Sequence, residues 1–203
     1  FVLSVSDSHN RANVRRSTDE SLAMLREVVA ERDNRQDITL VTALATSFGC
    51  SMEGAVNDAR VTQIAEFLAN EGIDEINLAD TVGYGDPIQV RRIFTDVKTA
   101  VGDLPLAAHF HDTRGLGLAN VMAALDAGVR RFDSALGGLG GCPFAPGASG
   151  NIATEDTLHL FDRLGVDTGI NLGALLEVRR HLAEWLPGEK LEGRLLGAGP
   201  ANR

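Results

Sequence analysis

Leu106-Ala107-Ala108-His109-Phe110-His111-Asp112 is a short, nearly continuous apolar run that ends on two histidines and an acid. Such a run reads as a parallel strand buried on both faces, where apolar and polar residues need not alternate. In a strand, side chains at i and i+2 share a face, so His109 and His111 present two imidazoles together. They do so at the carboxyl end, where parallel α/β folds build their sites. Phe1–Val5, Ile38–Leu44, Glu75–Leu78 and Arg131–Ala135 have the same strand-like character.

Helical patterns fill the intervals. Ser17-Thr18-Asp19-Glu20 is a capping-box sequence, followed by Leu22, Leu25, Val28 and Val29 on one face. Asp58 is placed to cap a helix that carries Val61, Ile64, Phe67 and Leu68 and stops at Gly72. Asp86-Pro87 offers a cap and a first-turn proline ahead of Val90, Ile93, Phe94 and Val97. Leu118, Val121, Met122 and Leu125 form the next stripe, closed by Gly128, and further helices are expected over 154–164 and from about Leu172 to Leu186. The chain is therefore α/β, built from repeated βα units with right-handed crossovers. Periodicity leaves two architectures open, a doubly wound sheet and part of a (β/α)₈ TIM barrel. A complete barrel takes ~250 residues, so 203 residues with five strands would be a barrel lacking its first three. Phe1–Val5 reads as a strand already in progress, so the natural start is expected upstream.

No linker or low-complexity tract divides residues 1–203, which are expected to form one barrel domain, incomplete at its amino end. Lys+Arg 19 against Asp+Glu 28 gives a net charge of −9. With no basic stripe, nucleic acid and anionic membrane surfaces are poor partners. No apolar run reaches the ~18 residues of a membrane-spanning helix. Cysteine occurs only at positions 50 and 142, too sparse for a disulfide scaffold. A reducing compartment follows, a bacterial cytoplasm, with a mitochondrial matrix also left open.

Several residues at strand ends carry chemical potential. His109 and His111 are a standard half of a divalent-metal site, or else a hydrogen-bonded pair. Gly137 to Gly150 holds six glycines in 14 residues around the thiol of Cys142. A thiol there can exchange protons or attack if its surroundings tune it, while the segment could equally cradle phosphate or merely connect. Asp80 could steer a hydroxyl proton, bind metal, or cap a turn. Asn151 offers a neutral oxygen suited to Mg²⁺ or Mn²⁺. Glu155 could handle protons or simply favour a helix start. For His9 and Cys50, packing or local hydrogen bonding is the default.

Leu78-Ala79-Asp80-Thr81-Val82-Gly83, His109-Phe110-His111-Asp112-Thr113-Arg114-Gly115 and the run from Gly137 through Asp156 together resemble the 3-hydroxy-3-methylglutaryl-CoA lyase family, one of the metal-dependent barrel lyases and aldolases. The resemblance extends from about Ser4 to Asn171, and the glycine–cysteine run is its most particular part. It implies a (β/α)₈ barrel of which this chain supplies strands four to eight. It implies a Mg²⁺ or Mn²⁺ cofactor held by His109, His111 and Asn151, with Cys142 protonating the departing enolate. Asp80, Glu155 and His109 would take further catalytic parts. The substrate would be an acyl-CoA cleaved to acetyl-CoA and acetoacetate, and the assembly a homo-oligomer, a dimer. The family's first-strand Arg-Asp-Gly motif and second-strand Glu are not found. Arg114 stands where some members have Tyr, Ala79 where Gly is usual, and Ser51 where Pro commonly follows the Cys. The alternatives are a related lyase or aldolase on another 3-hydroxy-acyl-CoA or a 2-oxo acid, and a non-catalytic fragment.

Overall fold

The computed structural model describes residues 1–35, 37–141 and 150–200. Among them, five parallel strands lie side by side in chain order: β1 (Val2–Ser4), β2 (Val41–Ala45), β3 (Glu75–Asp80), β4 (Leu106–Phe110) and β5 (Arg131–Asp133). This order separates the two architectures left open by periodicity. A doubly wound sheet reverses at a switch point, whereas a barrel adds every strand on the same side of the last. The fold is α/β, of the barrel type.

Helices α1 (Asp7–Val14), α2 (Thr18–Asp33), α3 (Asp58–Asn70), α4 (Pro87–Val101) and α5 (Gly117–Asp126) fill the crossovers, and α6 (Thr154–Arg163), α7 (Leu172–Trp185) and α8 (Leu195–Ala198) follow β5. Most begin where the side chains dictate. Ser17 and Glu20 form the reciprocal capping box of α2, and Asp86 accepts from the amides of Ile88 and Gln89 with Pro87 in the first turn of α4. The cap of α3 is Asn57, whose side chain accepts from the Ala59 amide, not Asp58. Asp58 falls one residue inside, where it takes both Nε and Nη2 of Arg92 at 2.7 and 2.5 Å.

Helix α1 has no apolar stripe to announce it. It is held by polar contacts: Ser6 caps it, and the buried Asn10 accepts from the Ser4 amide while donating to Arg16 O, Ser17 O and Ser21 Oγ. Strand β5 is shorter than its apolar run, because Ala135 leaves the ladder to bridge Ala153.

The strand register sorts residues onto two faces. Leu3, Leu44, Leu78, Ala108 and Phe132 form one row across the sheet. The first four join Val61, Ile64, Ile93, Phe94 and Val121 in the core between sheet and helices. Phe48, Phe94 and Phe110 meet there with ring centroids 5.8–6.5 Å apart, at separations where tilted and edge-to-face rings attract beyond their buried area. The next row, Ala79, His109 and Asp133, faces the other way, into what a barrel encloses.

Phe94 is fully buried in this cluster. Its replacement by Ala is expected to cost ~3–5 kcal/mol of unfolding free energy. Urea titration checks this, and a midpoint equal to the parent's would mean that the aromatic cluster is not part of the stabilising core.

Candidate active site

Strand β4 delivers His109 as its penultimate residue and His111 just past its end, with ring centroids 5.2 Å apart. The Nδ1–H of His109 donates to Asp133 Oδ2 on β5 at 3.3 Å, and Asn77 Nδ2 on β3 donates to the same oxygen at 2.5 Å. The bond from His109, helped by Asn77, holds the Asp133 carboxyl below its ordinary range despite burial. An ionised acceptor on Nδ1 fixes the ring's tautomer and leaves its second nitrogen free to meet a ligand.

Residues 150–152 run back along the end of β4. The Asp112 amide donates to Gly150 O, the Ile152 amide donates to Phe110 O, and His111 and Asn151 form an antiparallel bridge. Gly150 makes this passage possible. Its φ is +101°, and a Cβ would collide with the carbonyl oxygens of Gly138 and Gly140.

Asn151 Nδ2 donates to Leu139 O at 2.7 Å. Its Oδ1 is buried and has no partner among the described residues, and the same is true of His111 Nδ1. Burial, with the neighbouring His109 adding repulsion, lowers the pKa of His111 to about 4. The ring is therefore neutral at physiological pH, the state in which an imidazole binds metal. A buried polar atom left unpaired is costly in a folded chain, and here two bridged residues each carry one with no partner among the described residues. A neutral imidazole beside an amide oxygen fits a divalent cation. Among the described residues, no three His, Cys, Asp or Glu side chains gather as a metal site; the groups gathered here are two imidazoles and an amide.

The other expected site residues are placed differently. Asp80 shares its strand face with Ile76 and Leu78 and its register with Phe110, so it turns toward the helices, not toward the imidazoles. Fully buried, it accepts from the amides of Tyr84 and Gly85 at 2.9 and 3.0 Å. Burial raises its pKa, and those amides and Arg114 oppose the rise. Glu155, in the first turn of α6, is also fully buried. Its Oε1 accepts from Arg179 Nε at 2.8 Å and its Oε2 from the Gly137 amide at 3.1 Å. Both carboxylates accept main-chain amides and so organise the loops around them. Cys142 lies outside the described residues. Cys50 is buried and free, and His9 pairs with Ser4 Oγ at 2.8 Å.

Sequence patterning overlooked Asp133 and Arg179. Asp133 had one signal, since it falls on the strand after the histidine pair with a carboxylate on the matching face. Arg179 had none beyond being a charge inside an apolar helix stripe. Arg114 donates to Val82 O and Gly83 O and lies over the Tyr84 ring at 4.4 Å, tying together the turns after β3 and β4.

Fold and cluster together define a barrel protein with imidazole and amide groups gathered at the carboxyl ends of its strands. A family model described as HMGL-like matches residues 1–182, and the chain belongs to that family. It is 45% identical over 200 residues to the (R)-citramalyl-CoA lyase of Chloroflexus aurantiacus, which covers 98% of this chain and 62% of that protein. It is 39% identical over 194 residues to the hydroxymethylglutaryl-CoA lyase YngG of Bacillus subtilis, 96% of this chain and 64% of that one. The structure of an HMG-CoA lyase from Acinetobacter baumannii in complex with coenzyme A and 3-methylmalate superposes with a TM-score of 0.93 at 44% identity, over 99% of this chain and 65% of that chain. This chain thus spans a little under two thirds of the length of these relatives.

The lowered pKa of His111 sets a pH dependence. Between about 4 and the ordinary 6.5 the unfolded chain takes up a proton that the folded one refuses. The stability His111 contributes is complete above 6.5 and is lost as pH falls through that window. Urea unfolding in metal-free buffer at pH 7 and 4.5 is expected to show His111→Gln losing ~2–3 kcal/mol less than the parent between the two. Equal losses would mean that His111 is not held neutral by burial.

Proposed function

We propose that the whole protein is a divalent-metal-dependent carbon–carbon lyase that cleaves 3-hydroxy-3-methylglutaryl-CoA to acetyl-CoA and acetoacetate. The observation that carries it is the meeting of His111 and Asn151, each with a buried atom that has no partner among the described residues, beside a His109 ring oriented by Asp133. His109, His111 and Asn151 would hold the cation, Mg²⁺ or Mn²⁺. When bound, such an ion lowers the pKa of the substrate hydroxyl and fixes the hydroxyl and its neighbouring oxygen in one geometry.

The chain's own residues do the rest. Asp133 keeps the Nδ1 proton on His109, so that the opposite nitrogen is the one that would meet the cation. His111 stays neutral and Asn151 adds an uncharged oxygen, which leaves the cation's charge for the substrate. The hydroxyl gives its proton to a general base, the bond between the carbinol carbon and the thioester α-carbon breaks, and its electron pair passes into the thioester enolate. A carbonyl forms at the former carbinol carbon. The thiol of Cys142 supplies the proton that converts the enolate to acetyl-CoA. Asp80 and Glu155 support this by fixing the turns around the site.

A second acyl group is favoured by the 45% identity to a citramalyl-CoA lyase. In citramalyl-CoA the carbinol carbon bears a carboxylate directly, the same bond breaks, and the ketone product is a 2-oxo acid. Turnover of both CoA esters by the full-length protein with Mg²⁺ decides between them. His109→Ala and Cys142→Ala are each expected to lower kcat by about 10²–10⁴ on the true substrate, and chelation to abolish turnover. If neither substitution lowers kcat, the roles are wrong; if neither ester is cleaved, so is the reaction.

A further inference from the structure

Four links close a ring around the start of the glycine-rich segment. The Gly137 amide donates to Glu155 Oε2 at 3.1 Å, and Glu155 Oε1 accepts from Arg179 Nε at 2.8 Å. Arg179 Nη2 donates to the Glu192 carbonyl at 3.2 Å, and the Glu192 amide donates to the Gly137 carbonyl at 2.6 Å. Three stretches distant in sequence are tied to Gly137: the first turn of α6, the middle of α7, and the segment before α8. The side chain of Glu155 is 0% exposed and that of Arg179 5%. Such a pair is tolerated in the interior only when further hydrogen bonds use the remaining donors and acceptors, and the ring supplies them. The planar fork of a guanidinium serves two acceptors at once, which an ammonium on a single stem does not reproduce. Gly137 has φ +62°, and a Cβ on it would lie 2.9 Å from Arg179 Nε. Glycine is therefore required for the guanidinium to lie against this turn.

The ring reaches the cluster of imidazoles without touching it. Gly137 belongs to a single 3₁₀ turn, Leu136–Gly138, that leads directly into Leu139, whose carbonyl accepts from Asn151 Nδ2. A carboxamide has one donor end and one acceptor end. Fixing Nδ2 on Leu139 turns Oδ1 the opposite way, and that is the buried oxygen with no partner among the described residues.

We infer that Arg179 is a positioning residue, which through Glu155, Gly137 and Glu192 holds Leu139 so that Asn151 presents Oδ1 as a cation donor; this rests on the cation site proposed above. Outer groups that orient a metal donor are worth about 10–100-fold in metal affinity. The test uses the full-length protein, with Mn²⁺ titrated by electron paramagnetic resonance in the absence of substrate, followed by kcat and KM for the CoA ester. Arg179→Met is expected to raise the Mn²⁺ dissociation constant about 10–100-fold and lower kcat, with KM and the circular dichroism spectrum unchanged. Arg179→Lys is expected to recover part of both losses by pairing with Glu155 alone. Arg180→Met removes a neighbouring exposed arginine paired only at the surface and is expected to match the parent. A folded Arg179→Met protein with parental Mn²⁺ affinity overturns the inference. Should that variant not fold, parental affinity in Arg179→Lys overturns it. A parent that binds no Mn²⁺, by contrast, overturns the cation site itself.

Discussion

Alternation along parallel strands is the constraint on which the structure depends. Every second residue of β3, β4 and β5 faces the helices and every other one faces away, and the ladder aligns these choices across the sheet. Leu78, Ala108 and Phe132 fall in one row, and Ala79, His109 and Asp133 in the next. A slip of one residue in β4 would push the imidazoles into the packed core and bring Phe110 out. The burial of Leu78, Ala108 and Phe110 therefore fixes where His109 can be, and Asp133 meets it because β5 keeps the same register.

Buried carboxylates play an unexpected part in this arrangement. Asp80 and Glu155 are both removed from solvent, which alone would be expensive. Both are compensated by main-chain amides: Tyr84 and Gly85 for Asp80, Gly137 for Glu155 with Arg179 alongside. An acid used this way gives a loop a shape that no apolar side chain could impose, since only an acceptor can gather several N–H groups. The glycine-rich turn and the β3–α4 turn thus have carboxylates at their centres.

Much of this was legible in the order of residues. The capping box at Ser17, the Asp86-Pro87 start of α4 and the five apolar runs translate directly into elements, because each depends on neighbours within about one helical turn. Helix α1 escaped notice because its buried residues, His9 and Asn10, are polar. The exchange of Asn57 for Asp58 as a cap turned on one residue, below what a pattern resolves. Strand order is a long-range property that local periodicity does not encode, so the choice of barrel became visible only through pairing. For the site, spacing brought His109 and His111 together, Asn151 stood out for its neutral oxygen, and the resemblance joined the three. The bond between His109 and Asp133 and the path from Arg179 to Asn151 join residues on separate elements, which a linear reading does not connect.

Leu139 and Asn151 clasp the two ends of the glycine-rich segment, and the Asp112 amide fastens the second end to the strand beside it. The two ends are therefore held together by a closed staple. For a chain whose ends are already joined, added length carries little thermodynamic penalty, ~0.6 kcal/mol per doubling. Clasping the ends therefore costs little more than it would for a shorter segment, and it holds the amide that faces His111 in place.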